Sequence, residues 1–128
     1  MSIILMLHSL WRWVVLILAI AAIIKGFVGW FGQQRWQALD DRLGLFYTTA
    51  YDIQFLLGLI LLVGLAVMSG LGRIGMEHAV VMFIGAAVVH ITRSRAKKAS
   101  TDTAKHQTVA IGYLISLLLV IAGIARVS

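Results

Sequence analysis

Apolar residues run almost unbroken through four stretches of this chain, and the polar residues collect between them. The stretches are Ile3 to Trp30, Leu45 to Met68, Met76 to Ile91 and Val109 to Ala125. A helix needs about 20 mainly apolar residues to cross the hydrocarbon of a bilayer, so each stretch predicts a transmembrane helix. The third is short for a crossing, and Arg93 and Arg95 are placed to extend it by stretching their aliphatic stems to the interface. Gly70, Gly72 and Gly75 mark a tight turn before it, and Ser100, Thr101, Asp102 and Thr103 offer N-caps to the fourth helix. Short connections favour up-and-down neighbours. The expected fold is therefore all-α, an integral membrane antiparallel four-helix bundle forming a single domain over residues 1–128. Small residues recur where such helices must approach, among them Ala19, Ala22, Gly26, Gly58, Gly64, Gly85 and Ala86.

Composition agrees. With 61% hydrophobic and only 12% charged residues, the chain has too little charge to cover a water-exposed surface. Its length leaves no room for a separate soluble catalytic module, and no catalytic residue is expected. Cysteine is absent, which excludes disulfides, thiolate metal sites, iron–sulfur clusters and covalent haem attachment. Proline is absent too, so no helix is broken by that route. The first apolar stretch is too long for a signal peptide, lacks a basic leader and reaches Lys25 without a small-residue cleavage site, so it reads as a retained helix.

The net charge of +6 comes from residues flanking the spans, not from a nucleic-acid-binding face. Lys25, Arg35 and Arg42 flank the first connection; Arg93, Arg95, Lys97, Lys98 and Lys105 flank the third; only Arg12, Arg73 and Arg126 lie on the other side. This eight-to-three split puts the first and third connections in the cytoplasm and both termini outside, in a bacterial inner membrane. Trp11, Trp13, Trp30 and Trp36 fall near the expected interfaces.

Ionisable residues within spans are costly and need a partner or a role. They are His8, Arg12, Asp52, Glu77, His78 and His90, with His106 at the edge. Neutral imidazole is a common metal ligand, and bundles build cofactor sites from facing helices, haem included. Depth sorts the histidines into an outer pair, His8 with His78, and an inner pair, His90 with His106. Arg12 lies one turn below His8 on the same face, suited to a haem propionate. Met82 and Gly85 follow His78 at i+4 and i+7; Met82 is placed to pack on a macrocycle or ligate it, and Gly85 to let it approach the backbone. The alternative is that His8 and His78 are interfacial residues with one wet end and that Arg12 pairs with Glu77. His90 and His106 are the candidates for an inner site. The former is about 18 Å along the helix from His78 and on a different face. Asp52 has His90, His106 or Tyr113 as candidate partners, or a role in proton transfer.

The segments His8-Ser-Leu-Trp-Arg12-Trp13, Glu77-His78 with Met82, Ser94-Arg-Ala-Lys-Lys98, and Thr101 through Lys105-His106 to Ala110-Ile-Gly-Tyr113 together resemble a family of small four-helix bacterial membrane proteins named cytochrome b. The resemblance covers most of the chain. It implies b-type haem ligation and carries over to His8, Arg12, His78 and His106. One position departs: where the family often has a histidine ahead of the Gln-x-x-x-Gly stretch of the second helix, this chain has Asp52, in Tyr51-Asp-Ile-Gln54. One haem b per chain is expected in consequence. The expected function is haem-mediated electron transfer with quinone or within a larger membrane complex or homo-oligomer. A haem-free accessory subunit of a respiratory or photosynthetic complex is the alternative. A transporter is disfavoured, because the polar residues sit near the helix ends.

Overall fold

The computed structural model describes residues 2–68 and 72–127. Four helices account for nearly all of them: α1 (Ser2–Phe31), α2 (Ala38–Met68), α3 (Arg73–Lys98) and α4 (Asp102–Val127). All four are long and apolar enough to cross a membrane, and the chain is a multi-pass membrane protein with an all-α, four-helix fold. Gly70, one of the glycines of the predicted tight turn, lies outside the described residues; Gly72 directly precedes α3 as its N-cap and Gly75 lies in the helix's first turn.

The helices run further at one end than their apolar stretches do. α2 begins at Ala38, not Leu45, because Asp40 reaches back to accept the Gln37 N–H at 2.8 Å, satisfying a donor the helix start leaves open. The other carboxylate oxygen of Asp40 meets Lys25 Nζ on α1 at 2.8 Å. α3 continues to Lys98 and α4 starts at Asp102, so their connection shrinks to Ala99–Thr101. Of the four predicted N-caps it is Thr101 that acts, its Oγ1 accepting the Ala104 N–H at 3.1 Å. Lys105 Nζ donates to the carbonyls of Ala96 (2.9 Å) and Lys97 (3.2 Å), closing the end of α3. α1 ends in a turn in which Gln33 takes a left-handed φ of 50°.

Successive helices pack antiparallel, and α4 returns against α1, so α1 and α3 stand diagonally across the bundle. Among the neighbouring helices, α3 with α4 is the most extensive pairing and α2 with α3 the least. At the end carrying the first and third connections, the loop end, backbones come close: a Cβ on Gly26 of α1 would lie 3.0 Å from the Ala110 nitrogen of α4. The middle is filled by aromatic rings. Tyr47 meets Tyr113 and Tyr51 edge-on, with centroids 5.1 and 6.2 Å away, and its hydroxyl donates to Ser116 Oγ at 2.7 Å. Trp11 Nε1–H donates to the Ala50 carbonyl at 2.9 Å, tying α1 to α2. Isoleucine, leucine, valine and phenylalanine cover the outward faces.

Candidate functional site

The opposite half, at the end holding both chain termini, is less filled. A cavity of about 470 Å³ lies there between the four helices, within the range of small-molecule sites. α1 gives it His8, Ser9 and Arg12; α2 gives Tyr51, Gln54 and Gly58; α3 gives His78 and Met82; α4 gives Val120 and Ile124. Leucines such as Leu61 and Leu62 make most of the remaining wall. The residues of the predicted outer pair thus line one chamber, one from each of two diagonally opposed helices.

His78 is held by its neighbour. Its Nδ1 lies 2.9 Å from the Gly123 carbonyl of α4. A carbonyl only accepts, so Nδ1 carries the hydrogen, and the lone pair of an uncharged ring so held is on Nε2. Metal-ligating histidines commonly have their second ring nitrogen fixed by such a partner.

His8 is held through its backbone and by the shape of α2. Gln54 Nε2 donates to the His8 carbonyl at 2.7 Å, and the ring lies over Gly58, where a Cβ would come 3.3 Å from Cε1. His8 Nδ1, Arg12 Nε and Gln54 Oε1 are buried on this wall without a hydrogen-bond partner. Such groups are rarely left unpaired in a folded interior; Thr48 Oγ1, His106 Nδ1 and the Tyr113 hydroxyl are in the same state away from the chamber. Arg12 also carries its guanidinium 5.2 Å from the centre of the Trp13 ring.

The remaining candidates fall elsewhere. Gly85 was expected to admit a flat ring, but the space over it is taken by the Tyr51 hydroxyl. Tyr51 in turn donates to the Met82 carbonyl at 2.8 Å. The glycine that opens the chamber is Gly58, across from the face on which Gly85 was read. Met82 lines the chamber with its methyl tucked against Gly123. Glu77 sits half-buried near the start of α3.

The two inner histidines do not share a site. His106 is fully buried, its ring seated against Gly29 and 5.1 Å from the Trp36 ring, with Nε2 3.4 Å from the Arg35 carbonyl. His90 lies on the outside of the bundle, and of the three partners open to Asp52 it is the one taken, at 2.7 Å from Nε2 to Oδ1. A smaller space of about 130 Å³ at the loop end is ringed by charge. Much of that charge is matched: Asp40 with Lys25 beside the space, Arg93 with Asp41 at 3.5 Å, and Lys105 on carbonyls. Among the described residues no group of three or more histidine, aspartate or glutamate side chains is arranged to hold a metal ion.

Gln54, Tyr51 and Gly58 are the site residues that sequence reasoning did not assign. Gln54 and Gly58 carry a signal, a polar side chain one turn from a glycine inside an apolar span, but which way that face turns depends on α2's rotation in the bundle. No family model matches the chain, and neither a curated protein nor a solved structure does.

Proposed function

We propose that this is a small b-type cytochrome-like membrane protein that carries electrons on one haem held in the terminal-end cavity by His8 and His78. The observation that carries the reading is the convergence of two imidazoles from diagonal helices on one largely apolar chamber. The residues present fit the group. His78 is in the tautomer that leaves Nε2 to ligate, Arg12 offers an unpaired buried donor suited to a propionate, and the leucine-rich wall suits the faces of a porphyrin. The haem supplies a one-electron centre. The chain's own part is to keep both rings in place through Gly123, Gln54 and Gly58, to exclude water, and to set the charge nearby through Arg12.

The basic residues at the loop end favour placing that end in the cytoplasm of a bacterial inner membrane, with the cavity toward the outside. Membrane-soluble quinone or a larger membrane complex would then exchange electrons with the site. The absorbance spectrum of protein purified from haem-supplied cells tests the reading. Low-spin bands with one haem per chain are expected, lost in His8→Ala and in His78→Ala and retained in His106→Ala. Bands that survive His8→Ala but vanish in His106→Ala would overturn the assignment, as would two haems per chain. Protein that binds no haem would be read as an accessory subunit. Arg12→Leu should keep the bands and shift the midpoint potential, measured by redox titration.

A further inference from the structure

The Asp52–His90 pair is spent on neither the cavity nor the core. It joins α2 to α3 on the outer surface, with 48% of the aspartate and 54% of the histidine side chain exposed. Asp52 lies well within the apolar stretch of α2, and His90 lies in the last turn of that of α3, one residue before it ends at Ile91. Ionisable side chains at such depth nearly always face a bundle interior or a water-filled space, because hydrocarbon offers no hydrogen bonds. The contact uses Nε2 and Oδ1 only. Nδ1 of His90 and Oδ2 of Asp52 remain, one nitrogen and one oxygen that lipid chains cannot satisfy.

The surface around the pair is also distinct from the rest of the outward face. On α3, Ala87, His90 and Ser94 form one exposed stripe at helical spacing, and on α2 exposed Thr49 lies one turn from Asp52. Small and weakly polar residues around a polar centre let helices approach closely in lipid. Toward the terminal end the same face turns bulky, at Leu56 and Phe83 and then at Val63.

We infer that the Asp52–His90 face of α2 and α3 is the contact surface of a symmetric dimer, and that its occupant is the same face of a second copy of this chain. The argument is self-complementarity. Two copies in one membrane are related by an axis along the membrane normal, and rotation about that axis preserves depth. The two residues of the pair are bonded to each other and so share one depth. A second copy therefore presents its own pair at the level where the first needs partners, an isologous match. Asp52 Oδ2 of each copy meets His90 Nδ1 of the other, and four hydrogen bonds close a ring. The ring closes with carboxylates and imidazolium rings, or with the proton moved to Oδ2 so that every group is neutral. The second arrangement leaves no charge in the hydrocarbon.

Because the chain lacks cysteine, single cysteines report the contact without background. Ala87→Cys and Ser94→Cys in full-length protein, in vesicles of bacterial lipid, should form disulfide-linked dimers on mild oxidation. Ile17→Cys on α1 and Leu118→Cys on α4, exposed on other faces, should not. Adding Asp52→Leu to Ala87→Cys should weaken the dimer about tenfold, as expected for losing interhelical hydrogen bonds of the strength found in lipid. Exchanging the pair (Asp52→His with His90→Asp) should restore cross-linking, which separates pairing from damage to folding. Equal cross-linking at all four cysteines would overturn the inference. So would cross-linking at Ala87→Cys that Asp52→Leu leaves unchanged, or cross-links from that face to a different protein or none at all.

Discussion

Single atoms decide whether the terminal-end cavity is a site. Histidines and an arginine in apolar spans are visible in any reading of the sequence, and His8, Arg12, His78 and Met82 do line one chamber. The glycine on the far wall was not legible. Gly58 and Gly85 look alike in sequence, each a small residue in a span. The fold separates them because Tyr51 fills the space over Gly85, whereas His8 lies over Gly58. On the haem reading proposed above, Gly58→Leu should therefore abolish haem binding with both histidines intact, measured as haem per chain. Gly85→Ala should instead disturb Tyr51 and lower thermal stability. Two substitutions away from the site set a scale for such effects. Gln33→Gly removes a left-handed residue that carries a Cβ and should stabilise the chain by up to about 1 kcal/mol, seen as a rise in unfolding temperature in detergent. Gly29→Ala drives a methyl into the His106 ring and should cost about 1–3 kcal/mol by the same measurement.

At the scale of elements, hydropathy located four helices, placed the loop end of α1 within a residue and stopped short at the loop ends of α2, α3 and α4. A scan for apolar stretches finds the part of a helix that lipid surrounds. Asp40, Asp41 and Arg42 at the start of α2, and Arg95, Lys97 and Lys98 at the end of α3, are helical but lie outside any apolar run. Capping holds them. Thr101 could be picked out in advance because an N-cap is a local signal. Asp40 could not, since its second role is an ion pair with Lys25 on another helix. Asp40→Ala removes the cap of α2 and leaves Lys25 without its partner in a partly buried place. It should destabilise the chain by about 2–3 kcal/mol, more than Thr101→Ala at about 1 kcal/mol. Chemical unfolding of the two variants in the same detergent compares them.

For the whole molecule, the two halves of the bundle divide the work. The loop half is closed by Gly26 against Ala110 and by matched charges, and it buries His106 against Gly29. The terminal half keeps its helices apart around the chamber, and the least extensive pairing of neighbouring helices, α2 with α3, is the one bridged on the outside by Asp52 and His90. Charge distribution gives the bundle a direction. With eight of the eleven lysines and arginines flanking the loop end, a reporter active only in the cytoplasm should be silent when fused after residue 128 and active when inserted in the first connection. The opposite pattern would turn the molecule over and move the cavity to the cytoplasmic side.

The hydrogen bond from His78 to the Gly123 carbonyl has a consequence in time. α3 leaves the ribosome before α4, so for part of its synthesis the chain has both cavity histidines in the membrane and only one of them held. Nothing in α1, α2 or α3 supplies the carbonyl that fixes the ring of His78. The setting of the His78 ring is completed only by α4, and on the haem reading proposed above loading would follow α4 instead of accompanying α3. A chain stopped at Lys98 should accumulate without haem although it contains His8 and His78. Supplying α4 as a separate membrane peptide should restore part of the absorbance.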